Sequence, residues 1–263
     1  MSYFLANNIS VSYGNHKIIN DISFELENNS ITGILGANGS GKTTLLKAIC
    51  GLLPYEGSFI LEGDNLKGLS PKKLSLLCSY IPQRSGISIN ISALDVVLMG
   101  FNPYLGILEH PTTKMKEEAI NSLSLVGLSD HAQSDYLNLS EGQKQLCILA
   151  RTLVGEKKLF LLDEPESALD FTHRYKMLEI LKSRTKGCPP GAIITLHDPQ
   201  LALNCCDKLL LLSEGKISGT ILPHSDKIEK IEQQLSSIYG PVSIKTCKTR
   251  SGQEQYVMLK EDI

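Results

Sequence analysis

Apolar and polar positions alternate at the start of the chain: Ile9, Val11 and Tyr13, then Ile18, Ile19, Ile22, Phe24 and Leu26. A period of two predicts antiparallel strands with one face in water. At Ile31-Thr32-Gly33-Ile34-Leu35 the alternation gives way to a short apolar run, the pattern of a strand buried on both faces. A glycine-rich turn follows. Leu45, Leu46 and Ile49 then recur at helical spacing between Thr43 and Cys50, with Gly51 as the stop.

From Ser92 the period becomes helical. Ser92-x-x-Asp95 reads as a capping box ahead of Val96-Val97-Leu98-Met99, and Gly100 and Pro103 break that run. Lys114 to Val126 predicts an amphipathic helix with Met115, Ala119, Ile120 and Leu123 on one side. The stretch Ser85 to Asn138 therefore reads as a helical insertion. Buried strands resume at Leu159–Leu162, Ala192–Leu196 and Lys208–Leu212, separated by helical segments, so right-handed parallel crossovers are expected. Glu214-Gly215-Lys216 marks a hairpin. The tail from Asp226 predicts a helix over Lys227 to Tyr239 and a last hairpin around Gly252. The pattern defines an α/β chain.

Composition narrows the functional classes. The net charge of -2 over 263 residues gives no basic field for nucleic acid. No apolar run approaches the roughly 20 residues that span a bilayer, and the first residues lack the basic and apolar regions of a signal peptide. The seven cysteines (Cys50, Cys78, Cys147, Cys188, Cys205, Cys206 and Cys247) contain no C-x-x-C pair; their odd count and irregular spacing predict reduced thiols, mostly buried.

The strongest chemical signal is Gly36-Ala37-Asn38-Gly39-Ser40-Gly41-Lys42-Thr43, followed by Thr44. It fits G-x-x-x-x-G-K-[ST] between a strand and a helix. Glycines let successive backbone N–H groups curl around phosphates, and the helix N-terminus adds roughly half a positive charge. Lys42 is expected to reach the β- and γ-phosphates of ATP and Thr43 to hold Mg²⁺. Leu159-Phe160-Leu161-Leu162-Asp163-Glu164 then delivers two carboxylates at the carboxyl end of a buried strand, where open α/β sheets bind ligands. Asp163 is the expected metal anchor and Glu164 the expected acceptor of a proton from the attacking water.

Leu139-Ser140-Glu141-Gly142-Gln143 resembles the LSGGQ signature of the ABC ATPases. Locally Ser140-x-x-Gln143 is a capping box, continued by a helical stripe of Leu146, Leu149, Ala150 and Leu153. Gln83 after Tyr80-Ile81-Pro82 is similar to a Q-loop, Ser167-Ala168-Leu169-Asp170 to a D-loop and His197 to an H-loop, and Tyr13 lies where that family stacks adenine. Asp198 and Pro199 suit the cap and first position of the helix after His197. The other histidines, His16, His110, His131, His173 and His224, read as surface or packing residues.

The resemblance implies a P-loop NTPase with a RecA-like parallel-sheet core, an N-terminal antiparallel β subdomain and a helical subdomain. It implies an ATPase domain over 1–224, with the helical subdomain at about 85–150, and a short extension over 225–263. It assigns Glu164, His197, Gln83 and Lys42 to catalysis and Thr43, Gln83 and Asp163 to Mg²⁺. Nucleotide contacts fall to Tyr13, Gly36, Ala37, Asn38, Gly39, Ser40, Gly41, Lys42, Thr43 and Thr44, and to Ser140, Gly142, Gln143 and Asp170. In the family one chain's signature faces the other chain's P-loop. The implied partners are therefore a second copy, membrane permease subunits and, indirectly, an extracytoplasmic substrate-binding protein. The implied location is the cytoplasmic face of the membrane.

Two residues depart from the signature pattern: Glu141 stands at a glycine position and Leu146 where arginine is common. An anion costs about 1 kcal/mol at 4 Å from a unit negative charge in water, so Glu141 is expected to splay away or meet a cation. Asp95 to Gly106 and Pro199-Gln200-Leu201-Ala202-Leu203 are similar to iron-chelate, haem and cobalamin importer ATPases, with Phe101 replacing an arginine, as is Ile238-Tyr239-Gly240-Pro241-Val242. Phe101 and Tyr104-Leu105 are expected as an exposed apolar contact for the permease. Another importer, an exporter, or a soluble ABC ATPase of assembly or regulation is the alternative; DNA-linked members are disfavoured because no heptads are sustained.

Overall fold

The structure is a computed structural model and describes residues 3–83, 85–185 and 190–261. Met1, Ser2 and Cys188, which enter the reading above, lie outside them.

Among the described residues, twelve strands and eight α-helices follow one another. Strands β1 (Phe4–Tyr13), β2 (His16–Leu26) and β3 (Ile31–Leu35) lead to helix α1 (Lys42–Ile49), then β4 (Glu56–Leu61) and the short β5 (Asp64–Asn65). Helix α2 (Pro71–Leu77), β6 (Cys78–Ile81), α3 (Ala93–Leu98), a 3-10 segment Met99–Tyr104, α4 (Thr113–Leu125) and α5 (Glu141–Leu153) fill the middle. Then come β7 (Leu159–Asp163), α6 (Phe171–Thr185), β8 (Gly191–Thr195), α7 (Pro199–Cys205), β9 (Lys208–Ser213), β10 (Lys216–Ile221), α8 (Ile228–Tyr239), β11 (Val242–Lys248) and β12 (Glu254–Lys260).

The chain divides into two compact units, Met1–Lys67 with Ile193–Ile263, and Gly68–Ala192. In the first, the alternating segment folds as predicted. β1 pairs antiparallel with β2 and with β4, giving the sheet order β2-β1-β4-β5. Phe4 and Phe59 stack on its buried face at 5.8 Å. A second sheet runs in the order β10-β9-β3-β8, with β3 parallel to β9. All five residues of β3 are buried, which explains their loss of alternation. The β9–β10 hairpin turns on Glu214 and Gly215, both at positive φ (48° and 71°), as a tight two-residue loop requires. The tail forms α8 and the antiparallel β11–β12 hairpin, with Ile231, Leu235, Val242 and Ile244 buried.

In the second unit β6 runs parallel to β7. Helices α3, α4 and α5 pack together there, and Leu146, Leu149, Ala150 and Leu153 of α5 are all buried. Each such leucine contributes about 1.5–3 kcal/mol relative to exposure.

Several local readings need correction. Ile120 is 48% exposed, because α4 turns Ala119, Ser122 and Leu123 inward and residue 120 lies about 100° round from 119. The α-helical run does break at Leu98, ahead of Gly100 and Pro103, but both sit inside a 3-10 segment that follows α3 directly. At Ser92 the side chain accepts from Asp95 N, but the Asp95 carboxylate takes the Ser92 hydroxyl at 2.6 Å instead of completing the box. Phe101 is 3% exposed and meets the Tyr104 ring edge-on at 6.3 Å, so it is no surface contact. The exposed apolar side chains of this region are Ile107 and Leu108, six and seven residues beyond Phe101.

Cys78, Cys147, Cys205 and Cys206 are buried thiols, Cys50 is half-buried and Cys247 exposed, none in a disulfide. No helix among the described residues is long and apolar enough to cross a membrane.

Candidate functional site

The first cluster lies where β3 hands over to α1. The turn is shaped by close approach. A Cβ on Gly36 would stand 2.2 Å from Leu212 O and 2.7 Å from Ser40 Oγ, so only glycine fits. Gly41 has φ 106°, a backbone conformation open to glycine, and a Cβ there would meet Ile19 at 2.6 Å. Ser40 N–H donates to Ala37 O at 3.2 Å and closes the loop. Lys42 is 5% exposed, and its ammonium donates inward to Gly36 O at 2.8 Å and Ala37 O at 3.3 Å. Ser40 Oγ is buried with no hydrogen-bond partner. No side chain caps α1 and its first turn holds no acid. A buried cation, an orphaned hydroxyl and an uncapped helix start fit an anion of phosphate type. Thr44 is buried beneath the loop and Thr43 half-buried, while Ala37, Asn38 and Gly39 face outward.

His197 is exposed and leaves the sheet beside this loop. Leu196 N–H donates to Ile34 O at 3.2 Å, which aligns the end of β8 with the end of β3. As expected, Asp198 caps α7 by accepting from Leu201 N at 3.1 Å, with Pro199 in the first turn. Tyr13 is 49% exposed at the β1–β2 turn, opposite His16.

The second cluster belongs to the other unit. The parallel register of β6 and β7 sets Ile81 beside Leu162, so the chain segments that follow both strands emerge together. Asp163 is 1% and Glu164 6% exposed. Tyr80 donates its hydroxyl to Asp163 Oδ2 at 3.3 Å, and Gln83 donates Nε2 to Glu164 Oε2 at 2.6 Å. Glu164 has φ 49°, a region that L residues rarely adopt. Such strain is retained where the surroundings over-determine it, commonly at reacting residues. Ser167 N–H bonds back to Glu164 O at 3.2 Å, and Asp170 caps α6 through His173 N at 2.9 Å. The His173 backbone N–H, then its ring, hold the exposed Asp170 carboxyl below the usual carboxylate range.

The Ser140 turn forms a complete capping box: Gln143 N–H donates to Ser140 Oγ at 3.2 Å and Ser140 N–H to Gln143 Oε1 at 2.9 Å. Glu141 meets a cation, with Lys144 Nζ at 2.8 Å, and its side chain is 80% exposed. Gly142 is close enough to Ala168 that an added Cβ would stand 3.2 Å from Ala168 O. The start of α5 and the start of the Ser167–Asp170 segment therefore touch within one chain. Three contacts lie beyond the sequence reading, the first being Gln83 on Glu164. Tyr80 joins Asp163, a contact set by the parallel pairing of β6 with β7. His131, read as a packing or surface histidine, also places Nε2 3.0 Å from Gln143 Nε2, and no local pattern signals it.

Buried strands that end in a glycine-cradled loop and in paired carboxylates define a nucleotide-binding ATPase domain of the P-loop class. The ABC transporter family model matches residues 19–167. Hemin import ATP-binding protein HmuV of Vibrio parahaemolyticus is 34% identical over 91% of this chain and 91% of its own length. A probable iron chelatin transport ATP-binding protein of Helicobacter pylori is 36% identical over 88% and 91%. Among solved structures, a metal-chelate type ABC transporter in an inward-facing conformation superposes with TM-score 0.82 over 99% of both chains at 24% identity. A dimeric ATP-binding cassette in a post-hydrolysis state, bound to ADP and Pi, gives 0.76 over 84% of this chain and 98% of that one at 22% identity. The chain belongs to the ABC transporter family, as an ATP-binding subunit.

Proposed function

We propose that this chain binds and hydrolyses ATP with Mg²⁺ to power an importer of the iron-chelate, haem or cobalamin kind, at the cytoplasmic face of the membrane. In this reading two copies sandwich two nucleotides and ride on separate permease subunits. A substrate-binding protein delivers the cargo outside, so the cargo never touches this chain. The curated relatives, with 34–36% identity over about nine-tenths of this chain, support the importer class.

The observation that carries the hydrolytic part is the buried Asp163–Glu164 pair with Gln83 on Glu164 at 2.6 Å. We assign Lys42 and the 36–44 turn, from Gly36 to Thr44, to the phosphates and Tyr13 to the base. Glu164 serves as acceptor of the proton from water, with Gln83 and His197 orienting it. Thr43, Gln83 and Asp163 are the residues that would hold Mg²⁺, and the ion would neutralise charge on the phosphates. From the opposing copy, Ser140, Gly142, Gln143 and Asp170 complete the site. A second helix N-terminus then faces the γ-phosphate, and closure depends on that charge being present.

The test is to capture the tagged full chain from detergent-solubilised membranes of its native host and assay the captured complex for Mg²⁺-dependent ATP turnover. A many-helix permease that co-purifies with turnover supports the proposal. Recovery with soluble partners alone would reassign the chain to assembly or regulation.

A further inference from the structure

The signature turn is held from outside by a histidine. Ser140 N–H can only donate, so the Gln143 atom that faces it at 2.9 Å is the carbonyl oxygen. The amide's other end, which only donates, therefore points at His131 Nε2, 3.0 Å away. Two donors cannot share that contact, so Nε2 carries no proton and accepts. The ring proton then sits on Nδ1, facing Ser134 Oγ at 3.5 Å.

His131 is placed by a segment pinned on both sides. Leu128 N–H donates to Leu123 O at 2.8 Å and His131 N–H to Leu128 O at 3.1 Å. Beyond it, Ala132 O and Ser134 O accept from Leu94 N and Ala93 N at 2.9 and 3.0 Å, and Tyr136 N–H donates to Ile91 O at 2.9 Å. The imidazole is thus a fixed acceptor, whereas the Gln143 side chain carries three rotatable bonds and an amide with two nearly equivalent orientations. Half a turn of that amide would set NH₂ against the Ser140 N–H and open the box.

We propose that His131 is a positioning residue for ATP hydrolysis: it fixes the orientation of the Gln143 amide and, through it, the Ser140 N–H and hydroxyl at the start of α5. The inference rests on the reading of Ser140, Gly142 and Gln143 as the face presented to the opposing nucleotide.

The test compares ATP turnover and ATP binding by the full chain in its permease complex for the unaltered protein, His131→Gln, His131→Phe and Ser140→Ala, with a thermal melt of each. His131→Gln retains a carbonyl acceptor at about the reach of Nε2; His131→Phe fills the space and accepts nothing. The expected result is a kcat lowered about five-fold in His131→Phe, the worth of one net hydrogen bond, with nucleotide binding unchanged and kcat restored in His131→Gln. Normal turnover in His131→Phe beside an impaired Ser140→Ala would overturn the role of His131 alone. Normal turnover in both would overturn the signature reading and this inference with it. Equal losses in His131→Phe and His131→Gln, tracking their melting temperatures, would reduce His131 to packing.

Discussion

Gln83 donates its amide to Glu164 at 2.6 Å, and the residue that receives it carries a backbone φ of 49°. The bond spans two strands that run parallel, so the carboxylate is held both by its own strained turn and by a neighbour 81 positions away. With Glu164 as the proposed base, Glu164→Gln is expected to lower ATP turnover by about 10²–10⁴-fold and to leave nucleotide binding intact. Gln83→Ala is expected to lower it less, because the carboxylate remains and only its orientation is loosened. Steady-state phosphate release by both variants, beside equilibrium binding of a labelled nucleotide, checks the order; a Glu164→Gln protein with ordinary turnover would remove Glu164 from the chemistry.

Gly36→Ala tests the cradle. Its new methyl would have to displace the Leu212 carbonyl from 2.2 Å, which is backbone and cannot swing aside. Overpacking of this kind costs about 1–3 kcal/mol. Urea midpoints should fall accordingly, and nucleotide affinity should fall with them since Ser40 and Lys42 are built on the same turn. A stable Gly36→Ala with full affinity would show that the loop relaxes freely.

What could be read without a structure follows from how local each feature is. The phosphate loop, the capping box at Ser140 and the cap at Asp198 are each encoded within a few residues, because backbone N–H groups and the next turn of helix supply the partners. The buried strands β3, β7 and β8 announce themselves by unbroken apolar runs, since both faces are covered. Phe101 illustrates the opposite case. Its segment is apolar whether it faces solvent or core, and only packing of that segment against α2 and α5 decides. Gln83 on Glu164 and His131 on Gln143 depend on strand register and on a pinned loop, neither of which leaves a periodic trace.

Glu141 stands where the family carries glycine, yet its carboxylate is 80% exposed and bonded to Lys144 at 2.8 Å. A surface pair three residues apart contributes roughly 0.2–0.5 kcal/mol, and the side chain points to solvent. Glu141→Gly is therefore expected to change turnover by no more than about five-fold. An increase of orders of magnitude, measured in the same phosphate-release assay, would mean that the carboxylate faces the nucleotide in the closed dimer.

Lys157 gives stability a signature in alkali. Burial brings its ammonium down to about 8, while it donates to Ser75 O at 2.6 Å and lies 4.9 Å over the Tyr104 ring. The folded chain sheds this proton before the unfolded chain, whose lysine keeps the ordinary 10.5. Between those values the unfolded state binds more protons, so the Lys157 contribution to stability rises with pH, and the cost of burying the cation is complete below about 8. Cys78 has the opposite slope: burial pushes its thiol up from 9.0 to about 12, so stability falls with pH above 9.0. Lys157→Met removes the first slope and keeps the second. The difference in unfolding free energy between unaltered and Lys157→Met proteins is expected to shift in favour of the unaltered one from pH 8 to pH 10.5. A flat difference would mean that water reaches the ammonium.

The helix that follows His197 is tied to the end of the chain. Asn204 donates Nδ2 to Tyr256 O at 2.9 Å and accepts Tyr256 N–H at 2.8 Å, and one turn earlier Gln200 Oε1 accepts Met258 N–H at 3.1 Å. Two side-chain amides thus imitate a neighbouring strand for the edge of β12. α7 is only seven residues long and begins directly after His197 and its capping Asp198, so what steadies α7 also steadies the exit of that histidine from the sheet. Asn204→Ala removes a donor and an acceptor at once and leaves the Tyr256 backbone groups to water. The expected cost is about 1–3 kcal/mol, with faster amide exchange at Tyr256 and Met258 than elsewhere in the sheet. If the tie orients His197, turnover falls in Asn204→Ala while nucleotide binding holds. If exchange quickens at the hairpin and turnover stays as it was, the C-terminal hairpin packs on α7 without steering it, and His197 takes its position from β8 and the Asp198 cap alone.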